Sequence, residues 1–139
     1  MTRPELTGVL ETALYVADLP RSVAFYERVF GFPKLVADAR ICAFDVAGRQ
    51  VLLLFLKGAS TAPVRLPGGL LPGHDGSGTS HFAFAIPAAE LQRWRDWLDE
   101  CGVPIESEIR WERGGTSLYF RDPDGHLGEL VTPGVWATY

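Results

Sequence analysis

The sequence has few cysteines, no cluster of basic residues and no long apolar run. Cys42 and Cys101 form no CxxC pair and are too few for a disulfide framework, so we expect two small core residues in a reducing compartment. The longest aliphatic run, Val51–Leu56, is far shorter than the roughly 20 residues that span a bilayer. We therefore expect a soluble, cytoplasmic protein with no membrane partner.

The charge balance and composition exclude two further classes of protein. The chain has 13 Lys and Arg residues against 17 Asp and Glu residues, which gives a net charge of −4. Because a nucleic acid would be repelled by this charge, no nucleic-acid partner is expected. A content of 47% hydrophobic and 22% charged residues excludes a disordered regulator. The 139 residues suffice for one globular domain, 1–139, with a real core.

The hydrophobic pattern predicts the order β-α-β-β-β twice along the chain. Module one, about residues 8–57, has one predicted helix, and alternation or apolar runs predict its strands. These strands are Val9–Val16, Lys34–Ala37, Ile41–Val46 and Gln50–Leu56. Module two, about residues 80–133, repeats this pattern. Its predicted strands are His81–Ile86, Ile105–Trp111, Thr116–Arg121 and His126–Val131.

The two predicted helices end in the same way, which strengthens the case for a repeat. Gly31 is followed by Phe32-Pro33, and Gly102 is followed by Val103-Pro104. One four-stranded sheet with one helix cannot cover both of its faces, so each module needs the other. We therefore predict an α+β fold in which paired β-α-β-β-β modules form an incomplete barrel around a cleft. The glycine- and proline-rich linker, about residues 58–79, is either a flexible crossover or a lid.

Residues with metal-binding side chains recur at equivalent positions of the two modules. His81 alternates with Phe82 and Phe84, which we expect to face the helix, so His81 should face the cleft. Glu11 holds the corresponding place in the first strand of module one. In the last strand of module two Glu129 lies four residues after Gly125. Counting likewise from Gly48 leads to Leu52, and the four positions are expected to converge: Glu11, Leu52, His81 and Glu129.

Two carboxylates and one imidazole neutralise a divalent cation and leave coordination positions open for water or substrate. We therefore predict a catalytic type of metal site formed by Glu11, His81 and Glu129, with Leu52 as an apolar filler at the fourth position. The parity of His126 is opposite to that of Glu129, so it is expected to be a surface residue beside a turn. His74 is either an exposed loop residue or reaches a ligand when the linker closes.

Three stretches of the sequence carry a family resemblance: ADLPRSVAFY at 17–26, SHFAF at 80–84 and DPDGHLGEL at 122–130. With them the chain resembles the vicinal oxygen chelate superfamily, the group of glyoxalase I, bleomycin resistance proteins and extradiol dioxygenases. The resemblance implies a homodimer and a divalent metal ion, Zn, Ni, Mn or Fe, bound by Glu11, His81 and Glu129. Two departures are visible. Glu11 stands where many oxygenases have His, and Leu52 stands where glyoxalase I has a fourth ligand, Glu.

Three functions remain open, each with a small molecule as substrate or ligand. In the first, a metal-dependent lyase, isomerase or transferase polarises neighbouring oxygens of its substrate, and Glu11 or Glu129 leaves the metal to take a proton. In the second, a metal-free protein sequesters a drug or metabolite, as bleomycin resistance proteins do. The third is an extradiol-type dioxygenase, whose ring substrate would stack on aromatic side chains. The candidates for that stacking are Tyr15, Phe55, Trp111, Tyr119 and Trp136.

Overall fold

The computed structural model describes residues 1–139 and contains two helices and ten strands. The strands of module one are β1 (Glu11–Val16), β2 (Lys34–Ala37), β3 (Ile41–Val46) and β4 (Gln50–Leu56), and its helix is α1 (Leu19–Phe30). The linker holds a hairpin of β5 (Val64–Leu66) and β6 (Gly69–Leu71). Module two has β7 (His81–Ala85), α2 (Leu91–Glu100), β8 (Ser107–Arg110), β9 (Thr116–Arg121) and β10 (Leu127–Val131). The predicted α+β class and the repeated β-α-β-β-β order are confirmed.

Both modules form an open, four-stranded sheet with the same topology. The strand order is β1-β4-β3-β2 in the first sheet and β7-β10-β9-β8 in the second. In each, the first strand pairs in parallel with the last, and the other pairs are antiparallel. The edge strands β2 and β8 are exposed along their whole length, and neither sheet closes into a barrel.

The chain divides into two compact units that do not coincide with the two modules. One unit contains Met1–Leu19 and Phe32–Ser77, and the other contains Pro20–Gly31 and Gly78–Tyr139. Helix α1 thus belongs with the second sheet, although its sequence lies in module one. Gly31 ends this helix with a φ of 66°, a conformation that glycine adopts without strain, and its N–H donates to the carbonyl of Glu27.

Aromatic side chains form the core of the second unit. Tyr26 and Phe30 lie one turn apart on α1, where side chains share a face, and they pack on rings of the second sheet. The ring centroids of Phe30 and Phe84 are 5.2 Å apart, and those of Tyr26 and Phe82 are 6.3 Å apart. The alternation predicted for β7 is present, because Phe82 is buried while His81 and Ala83 are exposed. None of the helices has the length and apolar character needed to cross a bilayer.

Candidate functional site

His81 begins β7 beside Leu127, the first residue of β10. The Nδ1 atom of its ring lies 2.9 Å from the carbonyl oxygen of Leu127. Because a carbonyl oxygen only accepts, Nδ1 carries the proton of this hydrogen bond. The other nitrogen, Nε2, lies 3.2 Å from Oε2 of Glu129, and about half of the His81 side chain is exposed. The imidazole is therefore held by the backbone on one side and presents its second nitrogen to a carboxylate.

Glu129 lies within β10, on the same face of the sheet as His81, and is 8% exposed. Its Oε1 atom accepts a hydrogen bond from the hydroxyl of Ser117, a fully buried residue of β9. Ser117 in turn accepts from the indole N–H of Trp111 over 2.8 Å. This chain of donors fixes one carboxylate oxygen of Glu129 and leaves the other, Oε2, directed at His81.

Tyr119 lies directly across from Glu129 in the antiparallel pair of β9 and β10. Burial raises the pKa of its phenol above the ordinary value, and the negative charge of Glu129 raises it further. The hydroxyl therefore keeps its proton at neutral pH, and it is hydrogen-bonded with the side chains of Glu129 and Ser117. The Tyr119 and His81 rings lie 6.3 Å apart, so the donor flanks the His81–Glu129 pair.

Glu11, the third predicted ligand, begins β1 and is exposed. It belongs to one compact unit, whereas His81 and Glu129 belong to the other and lie together there. No group of three or more His, Cys, Asp or Glu side chains is arranged to hold a metal ion. The role of Glu11 as a ligand stays a prediction.

The predicted equivalence of Leu52 with Glu129 is wrong. In the parallel ladder of the second sheet Glu129 pairs with Ala83, and Ala83 lies two residues after His81. In the first sheet the residue two positions after Glu11 is Ala13, and its partner is Leu53. Leu52 pairs with Thr12 and is 1% exposed, so it points to the opposite face and belongs to the core.

The expected surface position of His126 is also wrong. The residue is 2% exposed, and its Nδ1 atom accepts a hydrogen bond of 2.9 Å from the backbone N–H of Ser80. Its own N–H donates to Asp122, whose other carboxylate oxygen accepts from the hydroxyl of Tyr26. The pattern DPDGH indicated the turn, but strand alternation does not apply at a turn and gave no signal that the ring folds inward.

His74 lies against the face of the first sheet that carries Tyr15 and Phe55. Its Nδ1 atom is 2.7 Å from the Tyr15 hydroxyl, and its ring centroid is 4.5 Å from that of Phe55. Gly76 follows closely, and a Cβ atom there would come within 2.4 Å of the Tyr15 ring, so only glycine fits. His74 is thus half-buried in a packed segment rather than an exposed loop residue.

Similarity to known proteins extends over most of the chain. The model of the Glyoxalase/Bleomycin resistance protein/Dioxygenase superfamily matches residues 8–130. The chain belongs to this superfamily. The resemblance in the sequence motifs is therefore confirmed, and it covers both modules.

Relatives within the superfamily carry different activities in their names. Metallothiol transferase FosB of Bacillus licheniformis is 31% identical over 137 residues, which cover 98% of this chain and 82% of that protein. The crystal structure of lactoylglutathione lyase from Agrobacterium tumefaciens has a TM-score of 0.87 and 34% identity, with 96% and 99% of the two chains covered. That of fosfomycin resistance protein FosX from Mesorhizobium loti has a TM-score of 0.61 and 25% identity, covering 92% and 93%.

The His81–Glu129 pair has the chemistry of two ligands of one metal ion. With its proton on Nδ1, a neutral imidazole presents a lone pair at Nε2, which faces the oxygen of a carboxylate. Two ligand atoms, each about 2.1 Å from a tetrahedral metal ion, are about 3.4 Å apart, close to the observed 3.2 Å. The backbone carbonyl on Nδ1 and the hydroxyl on Glu129 are the outer partners that metal ligands have. The residues therefore fit a divalent metal.

Proposed function

We propose that this chain is a divalent-metal-dependent enzyme that acts on a small substrate with two neighbouring oxygens. The observation that carries the proposal is the His81–Glu129 pair, with 3.2 Å between Nε2 and Oε2 and a carboxylate that is almost fully buried. A buried carboxylate is costly unless it is paired or binds a cation, so this arrangement is typical of a site rather than of a chance surface contact. We further propose Glu11 as the third ligand, which would make the donor set neutral with a divalent ion.

The metal, when bound, would polarise the oxygens of the substrate. Ser117 holds Glu129 in one orientation, and the carbonyl of Leu127 holds His81. Tyr119 keeps its proton beside the pair, and by exchanging its hydrogen bond with Glu129 it would donate to a substrate oxygen that gains negative charge. Glu11 is the more exposed carboxylate, so of the two it would be the better acceptor for a proton from the substrate.

Transfer of a thiol is the reaction that the FosB likeness favours, and cleavage or formation of a thioester is the one that the lactoylglutathione lyase likeness favours. Two assays separate them. Fosfomycin with cysteine or glutathione tests thiol transfer, with the product identified by mass spectrometry. Glutathione with the 2-oxoaldehyde methylglyoxal tests the lyase reaction in its favourable direction, in which their hemithioacetal isomerises to S-lactoylglutathione with no atom gained or lost.

The test of the metal site uses protein purified without chelator, then stripped of metal and titrated with Mn²⁺, Zn²⁺, Ni²⁺ and Fe²⁺ in separate experiments. His81→Ala and Glu129→Gln should lose most of the bound metal while staying folded. Glu106→Gln changes a surface carboxylate of the same unit, which pairs with Arg121, and should bind as the wild type does. Full metal binding in both site variants would refute the proposed site.

A metal-free binding protein is the second candidate, because His81 and Glu129 also satisfy each other directly as an ion pair if the imidazole is protonated. A wild type that binds no divalent ion under any of these conditions would favour this candidate over the enzyme.

We also propose a homodimer, since the edge strands β2 and β8 are exposed along their whole length and offer a surface for a second copy. If subunits share the site, mixing Glu11→Ala with His81→Ala protein under exchange conditions should restore part of the metal binding. If each chain forms its own site, no binding should return. A protein that sediments only as a monomer at micromolar concentration would refute the dimer.

A further inference from the structure

The buried ring of His126 makes a hydrogen bond that strand pairing cannot supply. The parallel ladder of β7 and β10 begins with His81 opposite Leu127, and the chain before Leu127 is a turn. The N–H of Ser80, one residue before the ladder, therefore lacks a backbone acceptor in β10. Nδ1 of His126 accepts this N–H over 2.9 Å. Because it accepts, this nitrogen carries no proton.

The backbone of Leu127, opposite Ser80 and His81, connects Ser80 to the His81 ring. The carbonyl of Ser80 accepts from the N–H of Leu127 over 2.9 Å, and the carbonyl of Leu127 accepts from Nδ1 of His81 over 2.9 Å. The backbone on the N-terminal side of His81 is thus bonded through both polar groups of Ser80, and one of these bonds depends on His126. A shift of this backbone would move the His81 ring relative to Leu127 and Glu129.

The ring of His126 is itself held in place by a buried network. Its backbone N–H donates to Oδ1 of Asp122 over 2.9 Å, and its carbonyl accepts from the N–H of Asp122. The other oxygen of Asp122 accepts from the hydroxyl of Tyr26 over 2.9 Å, which ties the turn to helix α1. The backbone of His126 is therefore fixed by hydrogen bonds within its turn and, through Asp122, to helix α1.

We propose that His126 is a positioning residue, whose ring holds the backbone at Ser80 so that Nε2 of His81 faces Glu129. This role rests on the proposed function, because the orientation of His81 matters for activity only if His81 binds the metal. A purely structural His126 would fill space in the core, and any side chain that restored folding would then restore metal binding as well.

Three substitutions distinguish positioning from space filling. His126→Leu keeps much of the volume but has no acceptor. His126→Asn keeps an acceptor at the position of Nδ1, whereas His126→Gln carries its acceptor one bond further out. The matched control is Ser22→Ala, which removes the hydrogen bond to Asp124 in the same turn and leaves Ser80 untouched.

The first measurement is the affinity of metal-free protein for Mn²⁺, followed by electron paramagnetic resonance. Leu and Gln variants should bind about 3- to 10-fold more weakly, less than the roughly 10- to 100-fold loss of a partner bonded directly to a ligand, because His126 acts on His81 only through the backbone of Ser80. Asn and the Ser22 control should stay near the wild type. Folded Leu and Gln variants with wild-type affinity would overturn the proposal, as would an equal loss in the control. If the Leu variant fails to fold, the contrast between Asn and Gln decides.

The second measurement needs no metal. Long-range ¹H–¹⁵N spectra report which ring nitrogen of His81 carries the proton. The wild type and His126→Asn should show a protonated Nδ1, whether or not Nε2 also carries a proton towards Glu129. His126→Gln should show a partly deprotonated Nδ1 as the bond to Leu127 weakens. An unchanged His81 spectrum in the Gln variant would overturn the positioning role. A wild type that binds no metal would refute the proposed function alone, and these spectra would still decide the role of His126.

Discussion

Ser117→Ala tests how the protein holds the buried carboxylate of Glu129 next to His81. The hydroxyl of Ser117 donates to Glu129 and accepts from Trp111, so its removal breaks two hydrogen bonds at once. A hydrogen bond to a charged group contributes about 1.5–3 kcal/mol to stability, and a bond between neutral groups contributes about 0.5–1.5 kcal/mol. Trp111 is 36% exposed, so water can replace part of the second bond.

We therefore expect Ser117→Ala to lower the free energy of unfolding by about 2–3 kcal/mol, most of it from the Glu129 contact. Urea unfolding of metal-free protein measures this loss. Trp111→Phe serves as the comparison, because it removes only the indole donor and should cost clearly less. The double variant should lose less than the sum of the two single losses, because both substitutions break the same Trp111–Ser117 bond.

The same substitution should weaken metal binding about 10- to 100-fold, because Glu129 would no longer be held with Oε2 facing His81. Titration of folded Ser117→Ala protein with Mn²⁺ measures the loss. A variant within about 0.5 kcal/mol of the wild type in stability would behave like an ordinary surface substitution. Together with unchanged metal affinity, that result would refute the reasoning about this hydrogen-bond chain.

Three further predictions concern stability. Burial raises the pKa of the Asp122 carboxyl above its unfolded value, so its stabilising contribution is full below about pH 4 and is lost as the pH rises through the folded pKa. Urea unfolding from about pH 4 upwards should show that the wild type loses free energy of unfolding relative to Asp122→Asn as the pH rises. A difference between the two proteins that stays constant with pH would contradict the raised pKa of Asp122. Leu52→Glu buries a carboxylate in the core and should prevent folding or cost several kcal/mol, whereas Leu53→Glu, on the half-buried face, should fold, as circular dichroism can check. Saturating Mn²⁺ should raise the melting temperature of the wild type but not of His81→Ala, and equal shifts would place the ion elsewhere.

The local sequence was sufficient to predict most of the strands and the repeat. The bounds of β2, β3, β4 and β9 agree with the predictions because alternation and turn residues are local signals. The exposed position of His81 followed in the same way from its alternation with Phe82 and Phe84. The β5–β6 hairpin in the linker was missed, since its strands are only three residues long and its residues are mostly exposed.

Strand register, in contrast, was decided only by the backbone ladder of the folded sheets. In β10, Leu127 pairs with the first residue of β7 and lies two residues after the turn glycine Gly125. In β4, Val51 pairs with the first residue of β1 and lies three residues after the turn glycine Gly48. The register of the first sheet is therefore shifted by one residue. A shift of one residue turns every side chain to the opposite face, which is why Leu52 lies in the core and Leu53 takes the position equivalent to Glu129.

Tertiary packing also decided where α1 and His126 lie. The spacing of apolar residues predicted that α1 has one buried face, but which sheet covers that face depends on contacts far apart in the sequence, such as those of Phe30 with Phe84. His126 is buried because its turn is bonded to Tyr26 through Asp122, a contact across 96 residues. Residue types and their alternation thus determined which side chains can bind a metal, whereas long-range backbone and side-chain hydrogen bonds decided how His81 and Glu129 are held together.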